Sequence, residues 1–343
     1  MTKVLMLTLG YGRSVTGRIG GGTEMGAERL ARWLRKNCVD VYVIGYGGDI
    51  SFPSPGVFWR ITWPVMSFFF GLSYLIFGSA DVIYARYCTY PLFVGVALKT
   101  IFRKKLVASV HGGDIRHGGI AGRIITFCMR RCDRVVCYDN DGHVKELKRR
   151  GIDPIVIPNG IETDVFKPHK RKLGIKKAIY AGGTREIKGF IDIIKASNVD
   201  TLKTQKGFEI HVYADGTIKS DSVVKFHNKV PHESLPKVME SGQLFVLPSY
   251  AEGVPSAMLE AMSAGMYVIA SDLDFTRKIL NKKFLFRAGD INAITKLLIK
   301  FRDDMEGFFQ DQDVNNRKIA VEKYSMDKCG WKWKILIEGL YAR

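Results

Sequence analysis

The sequence predicts an α/β protein built from two doubly wound parallel sheets. Short apolar runs of strand length alternate with longer helix-like segments, and this alternation restarts near residue 176. A chain of 343 residues is long enough for two domains with separate cores. In the first half the runs are KVLMLTL, VDVYVIGY, DVIYAR, KLVASV, DRVVCY and PIVIPNG. In the second half they are KAIYAGG, FEIHVYADG, VVKFHNKV, LFVLPSY and YVIASD.

The two patterns meet in the segment 158–176, which is rich in Lys, Pro and Gly, as hinges between domains often are. We therefore predict a first domain over residues 1–160 and a second over 161–325. The remaining segment, 326–343, is expected to form a helix that crosses back to the first domain. The first helix is predicted from TEMGAERLARWLRKN, which places four apolar residues on one face: Met25, Leu30, Trp33 and Leu34.

The chain is strongly basic, with 52 Lys and Arg against 34 Asp and Glu and a net charge of +18. The excess is larger in residues 1–160 (22 against 11) than in 161–343 (30 against 23). A basic surface attracts nucleic acid, anionic lipid or phosphorylated substrates. Because the basic residues are dispersed and lack an aromatic-interleaved reading motif, nucleic acid is disfavoured as a partner.

Neither the cysteines nor the N-terminus indicates a metal site or an exported protein. The six cysteines form no CxxC pair, which predicts reduced, mostly buried thiols. Cys128, Cys132, Cys137 and His143 lie close in sequence, but their spacing matches no usual zinc pattern, so no metal is predicted. The run MTKVLMLTLGYG lacks a signal-peptide cleavage pattern and is interpreted as a buried strand, which predicts a cytoplasmic protein.

Residues 61–80, ITWPVMSFFFGLSYLIFGSA, contain no charged side chain, and twenty such residues could span a bilayer. A single crossing would put strands of one sheet on opposite sides of the membrane, so a span is disfavoured. A fully buried helix and a helix partly exposed to the membrane interface remain as alternatives. The aromatic residues cover more than one face, and Arg103, Lys104 and Lys105 follow, which favours the interface.

In the first domain, two features mark the strand ends, where parallel sheets bind ligands. The turn GYGRSVTGRIGGGTEMGAERLA is rich in glycine and leads into a helix, an arrangement that suits a phosphate. It contains neither GxGxxG nor GK[ST], and glycine-rich turns often serve only tight packing. His111, in SVHGGDIR, directly follows a strand and is a candidate functional residue, although a lone histidine is more often structural.

The second domain carries basic residues and two glutamates at comparable positions. In YAGGTREIKGF, Arg185 and Lys188 precede a helix and are candidates to clamp a diphosphate, the alternative being two solvated charges. In SYAEGVPSAMLEAMSAG, Glu252 is predicted in the loop after a strand and Glu260 about two turns into a helix, since Pro255 suits a first turn. Eight helical residues rise about 12 Å, which suits an extended ligand with two polar ends. Two exposed surface glutamates are the alternative, but they fit the apolar surroundings poorly.

These segments together resemble the retaining, nucleotide-sugar-dependent glycosyltransferases of family four. EGVPSAMLEAMSAGMYVIASD resembles the most specific motif of that family, VIPNGIETDVFKP its linker, and GGTEMGAERLA and VHGGD its N-terminal loop and histidine. The motifs follow the expected order over nearly the whole chain. The resemblance implies the GT-B fold, in which two Rossmann-like domains face each other across a cleft. It also implies that the first domain binds the acceptor and the second the donor.

The resemblance also implies roles for individual residues. Glu260 would hold the hydroxyls of the donor ribose, and Glu252 those of the donor sugar. His111 would lie beside the transferred sugar and, with Glu252, form the catalytic pair. Lys188 would neutralise the leaving diphosphate, where negative charge grows as the glycosidic bond breaks. Further donor-binding positions are Gly21, Gly22, Gly183, Arg185, Gly253, Val254 and Pro255.

The sequence departs from the family pattern at three places. Gly183 stands where the family usually has an arginine, and Arg185 follows two residues later. Gly265-Met266-Tyr267 replaces the usual Gly-x-Pro, and Arg277 and Lys278 stand near the place of a Gly-Gly with an acidic residue. These departures bear on the diphosphate site and the donor base. They leave both glutamates, Lys188 and His111 in place.

The resemblance implies a metal-independent retaining hexosyl or glycosyltransferase of the EC 2.4 class. It would move a sugar from a nucleotide-diphosphate-sugar to a glycan acceptor and would need no cofactor. The aromatic segment 61–80 and the basic first half predict that this acceptor is lipid-linked or on a membrane surface, and that the protein lies on the inner face of the cell membrane. No obligate protein partner is predicted. The alternatives are an epimerase or phosphorylase on the same fold, or a non-catalytic nucleotide-sugar binder. Product analysis separates the enzymes, and a binder would give no product.

Overall fold

The structure is a computed structural model of the chain. It describes residues 1–11, 22–51, 59–111, 114, 117–138, 141–169, 175–203, 207–216, 221, 223–311 and 316–341.

The first half of the chain alternates strands and helices, as predicted. Its elements are β1 Thr2–Gly10, α1 Gly22–Lys36, β2 Val39–Tyr46, α2 Trp59–Phe77, β3 Val82–Arg86, α3 Tyr90–Phe102, β4 Lys105–Val110, α4 Gly119–Met129, β5 Arg134–Cys137, α5 Asp141–Arg149 and β6 Ile155–Val156. Within the described residues these six strands form one parallel sheet in the order β2-β1-β3-β4-β5-β6.

The second half repeats the pattern and then ends in helices. Its elements are β7 Lys176–Ala181, α6 Phe190–Ser197, α7 Asp200–Lys203, β8 Phe208–Ala214, β9 Val224–Asn228, α8 Leu235–Glu240, β10 Leu244–Leu247, α9 Ser256–Ser263, β11 Tyr267–Ser271, α10 Asp274–Ile279, β12 Leu285–Phe286, α11 Ile291–Asp303, α12 Met305–Asp311, α13 Asn316–Tyr324 and α14 Met326–Tyr341. The second parallel sheet has the order β12-β11-β10-β7-β8-β9 over the same part of the chain. Among the described strands, β12 was not predicted, because two residues are too short to show as an apolar run.

The chain divides into two compact units. The first contains Met1–Gly160 and Met326–Arg343, and the second contains Ile161–Ser325. Each unit is one of the two doubly wound parallel sheets that the sequence predicts, so the predicted fold class is confirmed. Helix α14 packs beside α1 on the first sheet.

Helix α1 has the predicted apolar face, because Met25, Leu30, Trp33 and Leu34 are all buried. They share a core cluster with α14 and with one face of the first sheet. Helices α2, α3 and α4 bury their inner sides on the other face. The first sheet is therefore covered on both faces, which explains why its strands are apolar along their whole length.

Segment 61–80 forms most of α2, which is neither fully buried nor a membrane span. Trp63 and Leu75 are buried, whereas Phe69 is 60% and Phe77 is 88% exposed. A fully buried helix is therefore the wrong alternative. Within the described residues, no helix is long and apolar enough to cross a bilayer.

The cysteines are free thiols, four of them buried, as expected for reduced side chains. Among the residues that the structure describes, no three His, Cys, Asp or Glu side chains are grouped to hold a metal ion.

The second unit is wound in both directions from a central strand. The chain runs from β7 outward to β8 and β9, and then returns to the other side of β7 to form β10, β11 and β12. Strands β7 and β10 are therefore the neighbours between which the winding direction reverses. In open α/β sheets, ligands bind outside the carboxyl ends of such a strand pair.

Candidate active site

Two predicted donor residues meet at the carboxyl ends of β7 and β10. Lys188 comes from the loop after β7, and Glu252 comes from the loop after β10. The Lys188 Nζ donates a hydrogen bond of 2.7 Å to Glu252 Oε1. Ser249 Oγ donates to the same oxygen at 2.8 Å. The Glu252 side chain is 12% exposed and the Lys188 side chain 26%, so the pair lies at the edge of the solvent.

A tight turn places Lys188 beside the β10 loop. Residues Glu186–Lys188 form one turn of 3-10 helix, followed by Gly189 with a φ of +63°. A Cβ atom at this glycine would come within 2.0 Å of the Pro248 carbonyl oxygen. The Tyr250 N–H donates to the Ile187 carbonyl at 2.8 Å, which joins the two loops through their backbones. Only glycine allows this close approach at residue 189.

Gly183 and Arg185 lie in the same loop, between β7 and the 3-10 turn. A Cβ atom at Gly183 would meet no heavy atom within 4 Å, so there is open space where the family usually has an arginine. The Gly183 carbonyl accepts a hydrogen bond of 2.6 Å from the Tyr180 hydroxyl. Burial, and then the nearby Glu252 carboxylate, raise the pKa of Tyr180.

A cavity of about 440 Å³ opens in the second unit beside the first turn of α6. Thr184, Arg185 and Tyr250 line it, with Asp192 and Lys195 from α6. A hydrogen bond to the Asp192 carboxylate raises the pKa of Tyr250, so this tyrosine keeps its proton. Arg185 therefore lines a space with hydroxyl groups, a second cation on Lys195, and the carboxylates of Glu186 and Asp192.

Glu260 lies on α9 and is almost completely buried, with 2% of its surface exposed. Its Oε1 lies 3.0 Å from His232 Nε2, and the His232 ring packs edge-on against Phe166 at 5.7 Å. A carboxylate buried to this extent needs such hydrogen bonds, because desolvation disfavours its charged form. The alternative of two exposed surface glutamates is therefore wrong for Glu260 and for Glu252.

The predicted geometry between the two glutamates needs one correction. Helix α9 begins at Ser256, so Glu260 is its fifth residue and lies just over one turn from the start. Residues 252–255 are not helical, and Pro255 caps the helix with a φ of −74° and a ψ of +93°. The estimate of a rise of about 12 Å over eight helical residues is therefore wrong.

Gly253, Val254 and Pro255 connect Glu252 to α9. A Cβ atom at Gly253 would meet nothing within 4 Å, so its backbone is open on that side. Val254 is half-buried against the core cluster beneath α9, which holds the segment in place. Pro255 has no N–H to offer a ligand, although its carbonyl accepts the N–H groups of Met258 and Leu259.

In the first unit, His111 lies at the carboxyl end of β4 and is buried. Its Nε2 is 3.1 Å from Ser109 Oγ, and the Tyr138 hydroxyl lies 3.1 and 3.2 Å from its two ring nitrogens. The Tyr87 ring is 4.4 Å away. Burial, with the positive Arg86 nearby, lowers the pKa of His111 well below its usual range. The imidazole is therefore neutral at pH 7.

Asp114 holds the loop that carries His111. Its Oδ2 accepts the His111 N–H and the Cys88 N–H, both at 2.9 Å. This ties the end of β4 to the end of β3. Burial raises the pKa of Asp114 to about 6, although the two backbone hydrogen bonds oppose the rise.

Arg86 ends β3 and is also buried. Its Nη2 donates to the Thr23 carbonyl at 2.9 Å and to Asn159 Oδ1 at 3.4 Å. It therefore joins the start of α1 to the asparagine of the linker motif. A Cβ atom at Gly26 would come within 2.8 Å of the same Nη2, so glycine is needed there.

Of the two loop glycines, Gly21 lies outside the described residues. Gly22 is the first residue of α1, and nothing further is described for it.

Sequence reasoning missed four polar residues: His232, Ser249, Asp114 and Arg86. His232 and Ser249 follow strands at the carboxyl edge, and the rule that selected His111 could have found them. Arg86 could have been noticed as a charged residue that ends an apolar strand. Asp114 is the last residue of the VHGGD motif, but its position in the sequence does not indicate a hydrogen bond to the Cys88 N–H.

Two family models match the chain. Glycosyltransferase Family 4 matches residues 20–165, and Glycosyl transferases group 1 matches residues 176–304. Among solved structures, HepE from Anabaena in complex with UDP-glucose is similar with a TM-score of 0.76 and 16% identity. That similarity covers 99% of this chain and 100% of HepE. It shows the GT-B fold.

Curated relatives are similar over part or most of the chain. The UDP-Gal:alpha-D-GlcNAc-diphosphoundecaprenol alpha-1,3-galactosyltransferase of Escherichia coli is 25% identical over 223 residues, covering 56% of this chain and 57% of that protein. The chain thus spans little more than half the length of that relative. The phosphatidyl-myo-inositol mannosyltransferase of Mycobacterium leprae is 25% identical over 317 residues, covering 82% of this chain and 80% of that one. With one model matched in each unit and glycosyltransferases as relatives, the chain belongs to the family 4, group 1 glycosyltransferases.

Proposed function

We propose that this chain is a retaining glycosyltransferase that moves a sugar from a nucleotide-diphosphate-sugar to a lipid-linked or membrane-surface glycan acceptor. The observation that carries the proposal is the Lys188–Glu252 hydrogen bond of 2.7 Å at the point where the second sheet reverses its winding. A cation and a carboxylate at this edge provide a partner for phosphate oxygens and an acceptor for sugar hydroxyls.

The names of the relatives support the choice of substrates. The E. coli relative is named for a UDP-sugar donor and a diphosphoundecaprenol acceptor, and the M. leprae relative for a phosphatidylinositol. HepE binds UDP-glucose. By analogy, we propose a nucleotide-sugar donor and a lipid-linked acceptor for this chain.

Within this proposal, Lys188 stabilises the charge that develops on the leaving diphosphate. Glu252 binds donor-sugar hydroxyls, and Glu260 binds the ribose hydroxyls in the orientation that His232 holds. His111 is neutral and therefore acts as a hydrogen-bond partner of the transferred sugar rather than as a cationic acid. Gly21, Gly22, Gly183 and Arg185 complete the diphosphate site, with Gly253, Val254 and Pro255 beside the sugar.

The proposed reaction proceeds on one face of the sugar. The bond from the anomeric carbon to the diphosphate oxygen breaks, and the acceptor oxygen bonds to that carbon on the same face. The leaving diphosphate takes up the proton of the acceptor hydroxyl, and the anomeric configuration is retained. This route needs no protein nucleophile, metal ion or cofactor. We also propose that the protein is cytoplasmic, works on the inner face of the cell membrane and needs no obligate protein partner.

Calorimetry with UDP, GDP, ADP and their common sugar derivatives tests the donor site first. We expect one base to be selected by the wild type and its binding to be lost in Glu260→Ala. Glu306→Ala is the matched control, because Glu306 is an exposed glutamate in the same unit. If no nucleotide binds the folded wild type, the chain is not a transferase of this kind.

Product analysis then tests the reaction. Transfer to a lipid-linked acceptor with retained configuration is the expected outcome. Isomerisation or phosphorolysis of the bound nucleotide-sugar would replace the proposal with the epimerase or phosphorylase alternative.

A further inference from the structure

We propose that the outward surface of α2, α3 and α4, here called the three-helix face, binds an anionic phospholipid bilayer. The inference rests on the proposed function only for the reason why a membrane is useful to the enzyme. Binding to lipid can be measured without any transfer.

The three-helix face is unusually apolar. Within the described residues, half of the large hydrophobic side chains that are exposed lie on these three helices: Val65, Met66, Phe69, Ile76, Phe77, Phe93, Ile101, Ile120, Ile124 and Phe127. The most exposed are Phe77 at 88% and Ile120 at 78%. Apolar clusters of this kind on a surface mark sites of association with a partner or a membrane.

These side chains belong to one continuous layer. Helix α2 packs on α3, and α3 packs on α4. Their inner residues, such as Leu75, Leu98 and Ile125, share one core cluster on the same face of the first sheet. The approach of α2 to α3 is close, since a Cβ atom at Gly71 would come within 2.6 Å of Leu98 Cδ1. The residues on the opposite side of the three helices therefore point outward together.

The charge of the three-helix face selects an anionic partner. No Asp or Glu occurs in α2, α3 or α4. Arg123 lies on α4 and Arg103 directly follows α3 as its C-cap, and both are exposed. Arg131 follows α4, and its guanidinium lies 3.5 Å from the centre of the Phe127 ring. The carboxylate of Asp133, after α4, is paired with Lys99 of α3 at 2.6 Å. Apolar side chains among an excess of cations match the interface of an anionic bilayer.

The geometry suits a helix layer that lies on the membrane. Trp63 and Ser67 of α2 are buried in the protein, and Pro64 stands between them. A helix anchored in this way offers one side to lipid, in agreement with the finding that no described helix is able to cross a bilayer. Insertion of the exposed side chains to the depth of the headgroups is enough to bury them.

Helix α14 provides an internal comparison on the other face of the same sheet. It exposes Trp331 at 49% and Ile335 at 68%. It also contains two carboxylates, Asp327 and Glu338. With Tyr341 it exposes three large hydrophobic side chains, against ten on the three-helix face, and its charge is mixed, so we assign no lipid surface to it.

Vesicle flotation with the full chain tests the proposal. We expect the protein to float with vesicles of phosphatidylcholine and phosphatidylglycerol, less with phosphatidylcholine alone, and less as salt is added. Phe77→Ser and Ile120→Ser should each lower the partition coefficient of the protein between vesicles and water about tenfold. Arg103→Gln and Arg123→Gln should each lower it about fivefold. Trp331→Ser and Ile335→Ser are the matched controls and should change nothing.

Three results would overturn the proposal. The first is equal binding to vesicles with and without phosphatidylglycerol, and the second is equal loss in the α14 controls. The third is a dimer of the wild type that Phe77→Ser converts to a monomer without any vesicle binding, since the face would then be a contact between copies. Calorimetry of nucleotide binding on the same samples separates the claims. A protein that binds nucleotide but does not float with vesicles counts against the three-helix face alone. A protein that floats with vesicles but binds no nucleotide counts against the donor site alone.

Discussion

Removal of either member of the Lys188–Glu252 pair should have two separable effects, one on stability and one on donor binding. The Nζ–Oε1 distance is 2.7 Å, and Ser249 donates to the same carboxylate oxygen. A hydrogen bond to a charged group contributes about 1.5–3 kcal/mol when it is well shielded from water. Because the Lys188 side chain is 26% exposed, solvent screening reduces this contribution, and we expect about 1–2 kcal/mol.

A double-mutant cycle measures this contribution. Lys188→Met, Glu252→Gln and the double variant would be unfolded with denaturant, and the free energies of unfolding compared. The double variant should be about 1–2 kcal/mol more stable than the sum of the single changes predicts. Additive changes would show that the pair contributes nothing to stability. That result would also remove the reason to treat the pair as the anchor of the site.

Donor binding separates the structural effect from the functional one. If Lys188 contacts the diphosphate, Lys188→Met should lower the affinity for a nucleoside diphosphate by about tenfold to a hundredfold. The affinity for the matching nucleoside should hardly change. Lys188→Arg keeps the charge and should restore part of the affinity. Equal losses for the nucleoside and its diphosphate would refute the assigned role, because the change would then act through the fold of the loop.

Three further predictions concern other residues of the candidate site. Gly189→Ala should lower the free energy of unfolding by about 2–4 kcal/mol, because the φ of +63° and the nearby backbone carbonyl both oppose a side chain. Gly183→Ala, in open space, should change it by less than about 0.5 kcal/mol, and thermal unfolding of the two variants checks the order. His232→Ala should lower the affinity for a ribonucleotide about tenfold, because it removes the 3.0 Å hydrogen bond that orients Glu260. The affinity for the 2′,3′-dideoxy analogue should change little. Equal losses of affinity for both ligands in calorimetry would contradict this role. The buried Asp114 has a pKa raised to about 6 from 3.8, so its folded form binds the proton more tightly and its contribution is most favourable below pH 4. That contribution should fall by about 2–3 kcal/mol as the pH rises from 4 to 7, and unfolding curves of wild type against Asp114→Asn should diverge over that range.

The strands and the first helix were predictable because their signals are local. Parallel strands covered on both faces are apolar at almost every position, so each appears as a run in the sequence. The face of α1 follows from the helical period alone, and its four predicted residues are all buried. The two-residue strand β12 carries too few positions for either signal.

The separation of the two glutamates was predicted wrongly, because a helical rise was applied to all eight residues although Glu252 was itself predicted in a loop. Helix α9 begins at Ser256, so residues 252–255 do not rise as a helix. Two hydrogen bonds hold Glu252 in this loop, one from Ser249 three residues before it and one from Lys188 in the loop after β7. Lys188 is 64 residues away, and no local pattern reports such a contact.

The network around His111 shows the same limit. Tyr138 lies 27 residues from His111 and Asn159 lies 73 residues from Arg86, and the contacts between them depend on the first sheet. The sequence nevertheless located where polar groups gather, since Arg86 and His111 both end a strand at the carboxyl edge. It could not specify which polar groups form pairs.

The hydrogen-bond partners of the two glutamates explain why carboxylates persist in a segment made for burial. A buried carboxylate without partners is costly, and an apolar residue of similar size would pack in its place without that penalty. Glu260 is 2% exposed with His232 beside it, and Glu252 is held by Lys188 and Ser249. These partners all follow strands at the carboxyl edge of one sheet. A cluster of polar side chains at one edge of a sheet is expected of a binding site. The two glutamates therefore support the proposed donor site more strongly than the glycine-rich loop does.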